Sequence, residues 1–475
     1  MKKTNPAIFL PRKSLCAILC LGILAWYPIL RLGFIADDPF LLADHTIQEN
    51  TWAQLKSDFG HTAAADANHA YYRPTHKMLI RLEYFCFGLH PAGYHLVNLV
   101  LHAGNSVLTA ELVLALGFGA PAALVTGSLF AVNPIIAHDM IQATGAQPLA
   151  YMLVMASLLL LLRPGMVSLL SGLLIYGMAL FCKESTVVTP FLFLLIGLVR
   201  SDLPWRRALI MLLMTIPYGA LYVSHMGSVH TMICASIIPF VLKAFPKILL
   251  HYIVLFFFPW PLQSWPPIAR LSPLWPGYLV GMLATGWLLE KTMGRKGLFC
   301  LGWVLIAMLP KIPALMGNNV MMDHWVYDAA LGLLLPVTLV GLAWDARGSL
   351  WVQKALLVLL GMTLFGWGVL AHYTTDMRRT DELNYRWTLR YYSPDFALYR
   401  LGIILIRTGR PQEAATYLAR LCVQSPRQAD YENALALAYA HAGNRDQAIT
   451  LWKALLRRVP GYAPAIENMA LLRRL

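Results

Sequence analysis

The feature that most constrains this chain is its succession of apolar runs, most of them near the 20 residues that a helix needs to cross a bilayer. They fall at about residues 14–34, 95–116, 118–137, 146–163, 166–182, 186–200, 207–224, 274–290, 298–315, 326–344 and 350–371. The pattern predicts an all-α, polytopic transmembrane bundle of about eleven spans. Composition agrees: 58% of the 475 residues are hydrophobic and 13% are charged, against about 25% charged in ordinary soluble domains. The net charge of +14 does not mark a nucleic-acid binder, because its cations are not gathered in one basic domain. Several sit in short clusters between apolar runs, where they act as orientation signals.

The start, Met1-Lys2-Lys3 and then Arg12-Lys13 before an apolar run, resembles a signal peptide. The run continues to Leu32 without a small-x-small cleavage site, so the expectation is an uncleaved first span that begins in the cytoplasm. The seven cysteines are odd in number and scattered, and suggest neither a disulfide framework nor a metal motif.

Between the runs, Arg200, Arg206 and Arg207 mark one inside loop, and Lys291, Arg295 and Lys296 another. Residues 240–273 read two ways. Ile248 to Phe258 is apolar, but Pro246, Pro259, Pro261, Pro266 and Pro267 interrupt the region, so it is a span or a re-entrant hairpin. If it does not cross, both basic loops lie inside and the C-terminal hundred residues lie outside. That solution is preferred because it satisfies both charge clusters.

The last hundred residues are of another kind. Leu401-Gly402, Gly409, Ala414 and Pro426 recur as Leu435-Ala436, Gly443, Ala448 and Pro460. The period is the 34 residues of a tetratricopeptide repeat. A third copy begins near Ala463 and stops after one helix. The expected organisation is a transmembrane domain over 1–375 with a long external loop at 35–94, a linker at 376–394, and a repeat α-solenoid at 395–475.

The external loop opens with Phe34-Ile35-Ala36-Asp37-Asp38-Pro39-Phe40. Two adjacent carboxylates at a membrane boundary need solvent, a partner or a task. An N-cap or an ion pair with Arg73 is the ordinary reading; a reactive centre is the other. Further on come Tyr72-Arg73-Pro74, the stretch Phe87 to Asn98 with Leu101-His102, Leu129 to Pro134, and Lys183-Glu184. On these residues and the C-terminal repeats, the chain resembles the GT-C superfamily of glycosyltransferases, and within it the transmembrane and tetratricopeptide-repeat O-mannosyltransferase family. The resemblance covers roughly 30–190 and 395–475. There are departures. Asn133-Pro134-Ile135-Ile136-Ala137-His138 stands where the family reads His-Pro-x-His-x-Glu, and Gly145-Ala146-Gln147-Pro148-Leu149 where it reads a Gly-Arg-x-Asp-Leu-like stretch. Asp323-His324-Trp325-Val326-Tyr327 replaces an Arg-x-x-Tyr-like motif.

The resemblance implies an inverting membrane glycosyltransferase. It would move a sugar from a polyprenyl-phosphate donor to an acceptor, a protein Ser/Thr or a glycan, on the outer side of a bacterial inner membrane. A carboxylate must take or orient the acceptor's proton, and cations must stabilise the leaving phosphate. Asp37 is the expected base and Asp38 its orienting neighbour, or a ligand for the acceptor or a divalent cation. Arg73, whose planar fork suits phosphate, Lys77 and Lys183 are the expected phosphate partners. Tyr72, Glu184, His95 and His324 are expected to support them. Each has an ordinary reading as well: Arg73 pairs with Asp38 or Glu83, Lys183 pairs with Glu184 or snorkels, and Lys77 joins Arg81 on a solvated face. His138-Asp139 reads as plain loop. The repeats are expected to hold a partner protein. Rival readings are a non-catalytic envelope scaffold, an oligosaccharide ligase or polymerase, and a transporter.

Overall fold

Among the residues that the computed structural model describes (9–35, 38–42, 45–48, 52–60, 72–226, 237–260, 262, 274–318, 321–391 and 394–474), every regular element is a helix. All eleven expected runs are helical. Six stretches are long and apolar enough to cross a membrane: Arg12–Arg31, Pro91–Ala115, Arg206–Ser224, Arg295–Met316, Asp323–Arg347 and Leu350–Met377. The chain is therefore a multi-pass membrane protein. The last of these, at 28 residues, is about 42 Å long, more than a hydrocarbon core of about 30 Å.

The expected count of eleven is not reached on length and composition. Ala120–Val132, Gln147–Leu161, Met166–Leu180 and Glu184–Leu198 are apolar but only 10–17 residues long, about 15–25 Å. Prolines mark all four: Pro134 follows the first, Pro164 separates the second from the third, and Pro190 opens the regular part of the last. Trp275–Met293 carries Glu290 and Lys291 near its end and is not among the six. In the undecided region, Ile237–Lys243 and Phe245–Phe257 meet at 49°, the geometry of a broken span or a re-entrant loop. Counting that pair as one span gives seven.

The chain divides into two compact units, the first running to Asp376 and the second beginning at Met377. In the first, Arg12–Trp26, Pro91–Ala115, Ala120–Val132 and Gln147–Leu161 are the central neighbours. Pro91–Ala115 turns Leu96 and Val100 outward and buries Asn98, His102, Asn105, Ser106 and Thr109. Polar groups inside a bundle must find partners there, and these do. His102 reaches the Tyr327 hydroxyl at 3.0 Å and the Ala131 carbonyl at 3.1 Å. Asn105 donates to the Pro148 carbonyl and to Tyr327, and Thr109 pairs with Tyr151 at 2.9 Å.

The stretch Phe87 to Asn98 is a structural corner. It joins the Pro74–Phe87 helix of the loop to the span that begins at Pro91. A Cβ on Gly93 would lie 2.2 Å from the Phe87 ring, so only glycine fits. Tyr94 donates to the Gly88 carbonyl at 2.8 Å.

In the second unit, Asp395–Arg407 with Pro411–Gln424 and Ala429–His441 with Arg445–Arg458 are helical hairpins. Gly409 and Gly443 take φ of +76° and +86° at the turns, and Arg410 and Asn444 donate back to Leu405 and Tyr439 across the helix ends. Ala414 and Ala448 are fully buried. Ala463–Arg474 is the single helix of the third copy. Residues 376–394 contain the helix Asp381–Leu389, capped by Thr380. Its Arg386 pairs with Glu382 and Glu413.

Candidate active site

Asp37 lies outside the described residues. Asp38 is fully buried. Its carboxylate accepts from the Ile35 and Ala143 amides at 3.0 Å, the Thr144 amide at 2.8 Å and the Thr144 hydroxyl at 2.7 Å. Burial pushes it up to about 6, against the pull of those four donors. Asn98 holds the same turn from the other side, donating to the Gln142 and Ala143 carbonyls at 3.0 Å. Asp38 thus braces the loop after the first span to the 142–144 turn. Glu83 lies buried nearby, and burial, then the Asp38 charge, raise it to about 9. A carboxyl that stays neutral at pH 7 can donate a proton or a hydrogen bond.

Thr144 connects this end of the site to its cations. Its backbone lies beside His76, whose ring is within the fields of Arg73 and Lys183. Burial first, then Arg73 and Lys183, pull His76 down to about 3, so the ring is neutral.

Arg73 grips Glu184 with both arms of its fork, at 2.8 and 2.6 Å, rather than Asp38 or Glu83. With both Glu184 oxygens engaged, Lys183 turns to the Gln147 carbonyl oxygen at 2.6 Å. Burial, then Lys311, bring Lys183 down to about 8. The Gln147 amide donates in turn to Asp328, which lies 3.0 Å from the Lys311 ammonium. Asp139 is buried within electrostatic reach of Lys183, Lys311 and Asp328. Three cations and three carboxylates from five segments therefore meet inside an apolar unit.

The other expected residues have structural partners. Lys77 lies 3.7 Å from Asp58, which also binds Arg81, so this pair forms a separate buried ion cluster. Tyr72 donates to the Phe59 carbonyl at 2.9 Å and meets Phe181 edge-on. His95 is 3.3 Å from the Gly33 carbonyl. His324 is buried, edge-on to Trp325. Among the described residues, no three His, Cys, Asp or Glu side chains are placed to hold a metal ion. Sequence reasoning misses His76, Lys311 and Asp328, offers Glu83 only as a partner for Arg73 and Gln147 only within the 145–149 departure, and reads Asp139 as loop. The signal for His76 was its position three residues after Arg73, on the next helical turn.

These features define a class: a multi-pass membrane protein with a buried charged site, carrying tetratricopeptide repeats. Residues 396–427 and 434–462 match the tetratricopeptide-repeat family model. The chain is similar to the transmembrane and tetratricopeptide-repeat O-mannosyltransferases. It is 29% identical over 176 residues to protein O-mannosyl-transferase Tmtc1 of Drosophila melanogaster, covering 35% of this chain and 20% of that one. It is 30% identical over 203 residues to Tmtc2 of the same organism, covering 39% and 22%. With tmtc2 of Xenopus laevis it shares 34% over 119 residues, 24% and 14% of the two chains. The chain thus matches less than a quarter of the length of each of these relatives. Among solved structures, ArnT from Cupriavidus metallidurans bound to undecaprenyl phosphate aligns over 92% of this chain and 79% of that one. The identity is 16% and the TM-score 0.39, too distant to locate any residue here.

Proposed function

We propose that the chain is an inverting membrane glycosyltransferase of GT-C type. It takes a sugar from a polyprenyl-phosphate donor and gives it to an acceptor, a protein Ser/Thr, on the outer side of a bacterial inner membrane. The observation that carries this reading is Thr144. Its amide and hydroxyl hold Asp38, and its backbone lies beside His76, whose ring is within the fields of Arg73 and Lys183. Carboxylates and the cations assigned here to the phosphate thus lie on either side of one residue. In this mechanism Asp37 takes the acceptor proton as the hydroxyl attacks the anomeric carbon, and the bond to phosphate breaks. Asp38 fixes the loop. Arg73 and Lys183 stabilise the leaving phosphate. The relatives' printed name, protein O-mannosyl-transferase, supports this reaction class.

The reading also requires a particular membrane topology. The site residues lie in the loops after the first, third and fifth expected runs and, for Lys311 and Asp328, at the facing ends of the ninth and tenth, which share one side if 240–273 does not cross. One additional crossing there would put Lys311 and Asp328 on the side opposite Lys183. With eleven crossings the repeats share the site's compartment and hold a protein partner. Reporter fusions at Pro204 and Gly294 should read cytoplasm, and one after Ala397 the outer side. A cytoplasmic signal after Ala397 rules out acceptor recruitment by the repeats.

The decisive experiment is sugar transfer from a polyprenyl-phosphate donor by the purified chain. Asp37→Asn should slow the chemical step by about 10²–10⁴-fold with little change in donor binding. Arg73→Ala should weaken donor binding as well as turnover, and Arg73→Lys should not restore it, because the fork is lost. Wild-type rates in Asp37→Asn would show the carboxylate pair to be an ordinary loop.

A further inference from the structure

Lys183 and Lys311 are joined through a single amide. Lys183 donates to the Gln147 oxygen at 2.6 Å, the Gln147 nitrogen donates to Asp328, and Asp328 lies 3.0 Å from Lys311. The chain of contacts fixes which way the Gln147 amide points, since a lysine can only donate and a carboxylate only accept. Two features of this chain are unfinished. The Lys311 ammonium, 4% exposed, meets Asp328 off the hydrogen-bond direction and makes no aligned hydrogen bond. The Asp139 carboxylate, 3% exposed, has an Oδ2 with no hydrogen-bond partner, although it sits within the fields of both lysines. Buried polar atoms are normally satisfied, and an orphan of each sign in one place is costly. Asp328 and Asp139 face the two ammonium groups, and burial pushes Asp139 up to about 7 against the pull of both lysines, while the Lys311 ammonium and the Asp139 Oδ2 are left without hydrogen-bond partners.

We propose that Asp139 is a resident counter-ion for a two-lysine anion seat, and that a lipid-borne phosphate displaces it from Lys183 and Lys311 on binding. This rests on the transferase reading for its ligand, and adds Lys311 to the residues that meet the phosphate. Gln147 and Asp328 are positioning residues that tie the two ammonium groups to one another through a single amide. Asp139 neutralises the seat when it is empty, so two buried ammonium groups are not left facing each other. It also competes with the phosphate, which keeps the lipid product from being held too tightly.

The sign of one substitution distinguishes this from a structural role. Removing the charge of a merely structural buried aspartate lowers stability and leaves ligand affinity unchanged or weaker. Removing a competing counter-ion tightens the anion. The test uses the full purified chain in lipid nanodiscs and measures binding of undecaprenyl phosphate, with undecaprenol as the uncharged control. Wild type should prefer the phosphate. Asp139→Asn should bind undecaprenyl phosphate about tenfold more tightly, a change of about 1.4 kcal/mol, with undecaprenol unchanged. In transfer assays it should be more easily inhibited by undecaprenyl phosphate. Lys311→Gln should weaken phosphate binding by a similar factor and leave undecaprenol unaffected, which keeps the test available if Asp139→Asn does not fold. Equal or weaker phosphate binding by a folded Asp139→Asn, or unchanged binding by Lys311→Gln, overturns the proposal while leaving the transferase reading intact. Wild-type chain that binds the phosphate but transfers no sugar overturns the transferase reading and leaves the seat standing. No preference for phosphate over alcohol in wild type overturns the seat.

Discussion

The two units solve opposite solvation problems with the same secondary structure. The membrane unit buries Asp38, Asp139, Lys183, Lys311 and Asp323 and exposes Trp351, Leu357, Met362 and Phe365. The repeat unit buries Ala414, Leu418, Trp452 and Leu455, and its Arg386–Glu382 and Arg458–Glu432 pairs are partly exposed. Lipid supplies no hydrogen bonds, so polar groups in the first unit must be paired inside, whereas water can satisfy those of the second. A given charge therefore matters more in the first unit than in the second.

Matched ion-pair deletions would break that comparison if it is wrong. The largest effect is expected at Arg81→Met. Arg81 and Asp58 are both almost fully buried, and removing one partner of such a pair costs about 3–5 kcal/mol. Lys77, 3.7 Å from Asp58, should keep the loss near the lower figure. Thermal unfolding of the membrane unit in detergent measures it.

An intermediate effect is expected from acid. His76 is held neutral, with its folded value near 3 against an ordinary 6.5. Between those values the unfolded chain binds more protons than the folded one, so stability falls as pH drops through that window. His76→Gln should flatten the fall in melting temperature between pH 7 and pH 4. An unchanged slope would show that another group carries the acid sensitivity.

The smallest effect is expected at Arg458→Met. Arg458 and Glu432 form a two-armed pair at 3.0 and 2.7 Å, but Arg458 is more than a third exposed. Exposed pairs contribute about 0–1 kcal/mol, so the repeat unit's midpoint should hardly move. A loss equal to that of Arg81→Met would remove the contrast between the units.

The repeat unit was legible in the sequence because its determinants are local. Gly409, Gly443, Ala414 and Ala448 recur at the repeat period, and each acts on its own hairpin. The apolar runs were legible for the same reason, although continuous apolarity hid the proline breaks that shorten four helices. The site was only partly legible. Asp38, Arg73 and Lys183 stood out as charges beside apolar runs, yet their partners did not. Glu184 belongs to Arg73 rather than to adjacent Lys183, and Gln147 belongs to Lys183, because the partners are selected by helix packing across tens to hundreds of residues. Asp328 and Lys311 sit within long apolar stretches where sequence gives no indication of which face points inward.

The Asp38 brace also sets a schedule for biosynthesis. The carboxylate needs the amides of Ala143 and Thr144, about a hundred residues downstream. At roughly 5–20 residues per second, the loop after the first span waits on the order of 5–20 s for its anchor to be made. Until the 142–144 turn arrives, Asp38 has to remain hydrated, which keeps the loop out of the hydrocarbon while the second and third runs insert. Nascent chains arrested before residue 143 should leave this loop open to protease, and chains arrested well beyond residue 144 should protect it.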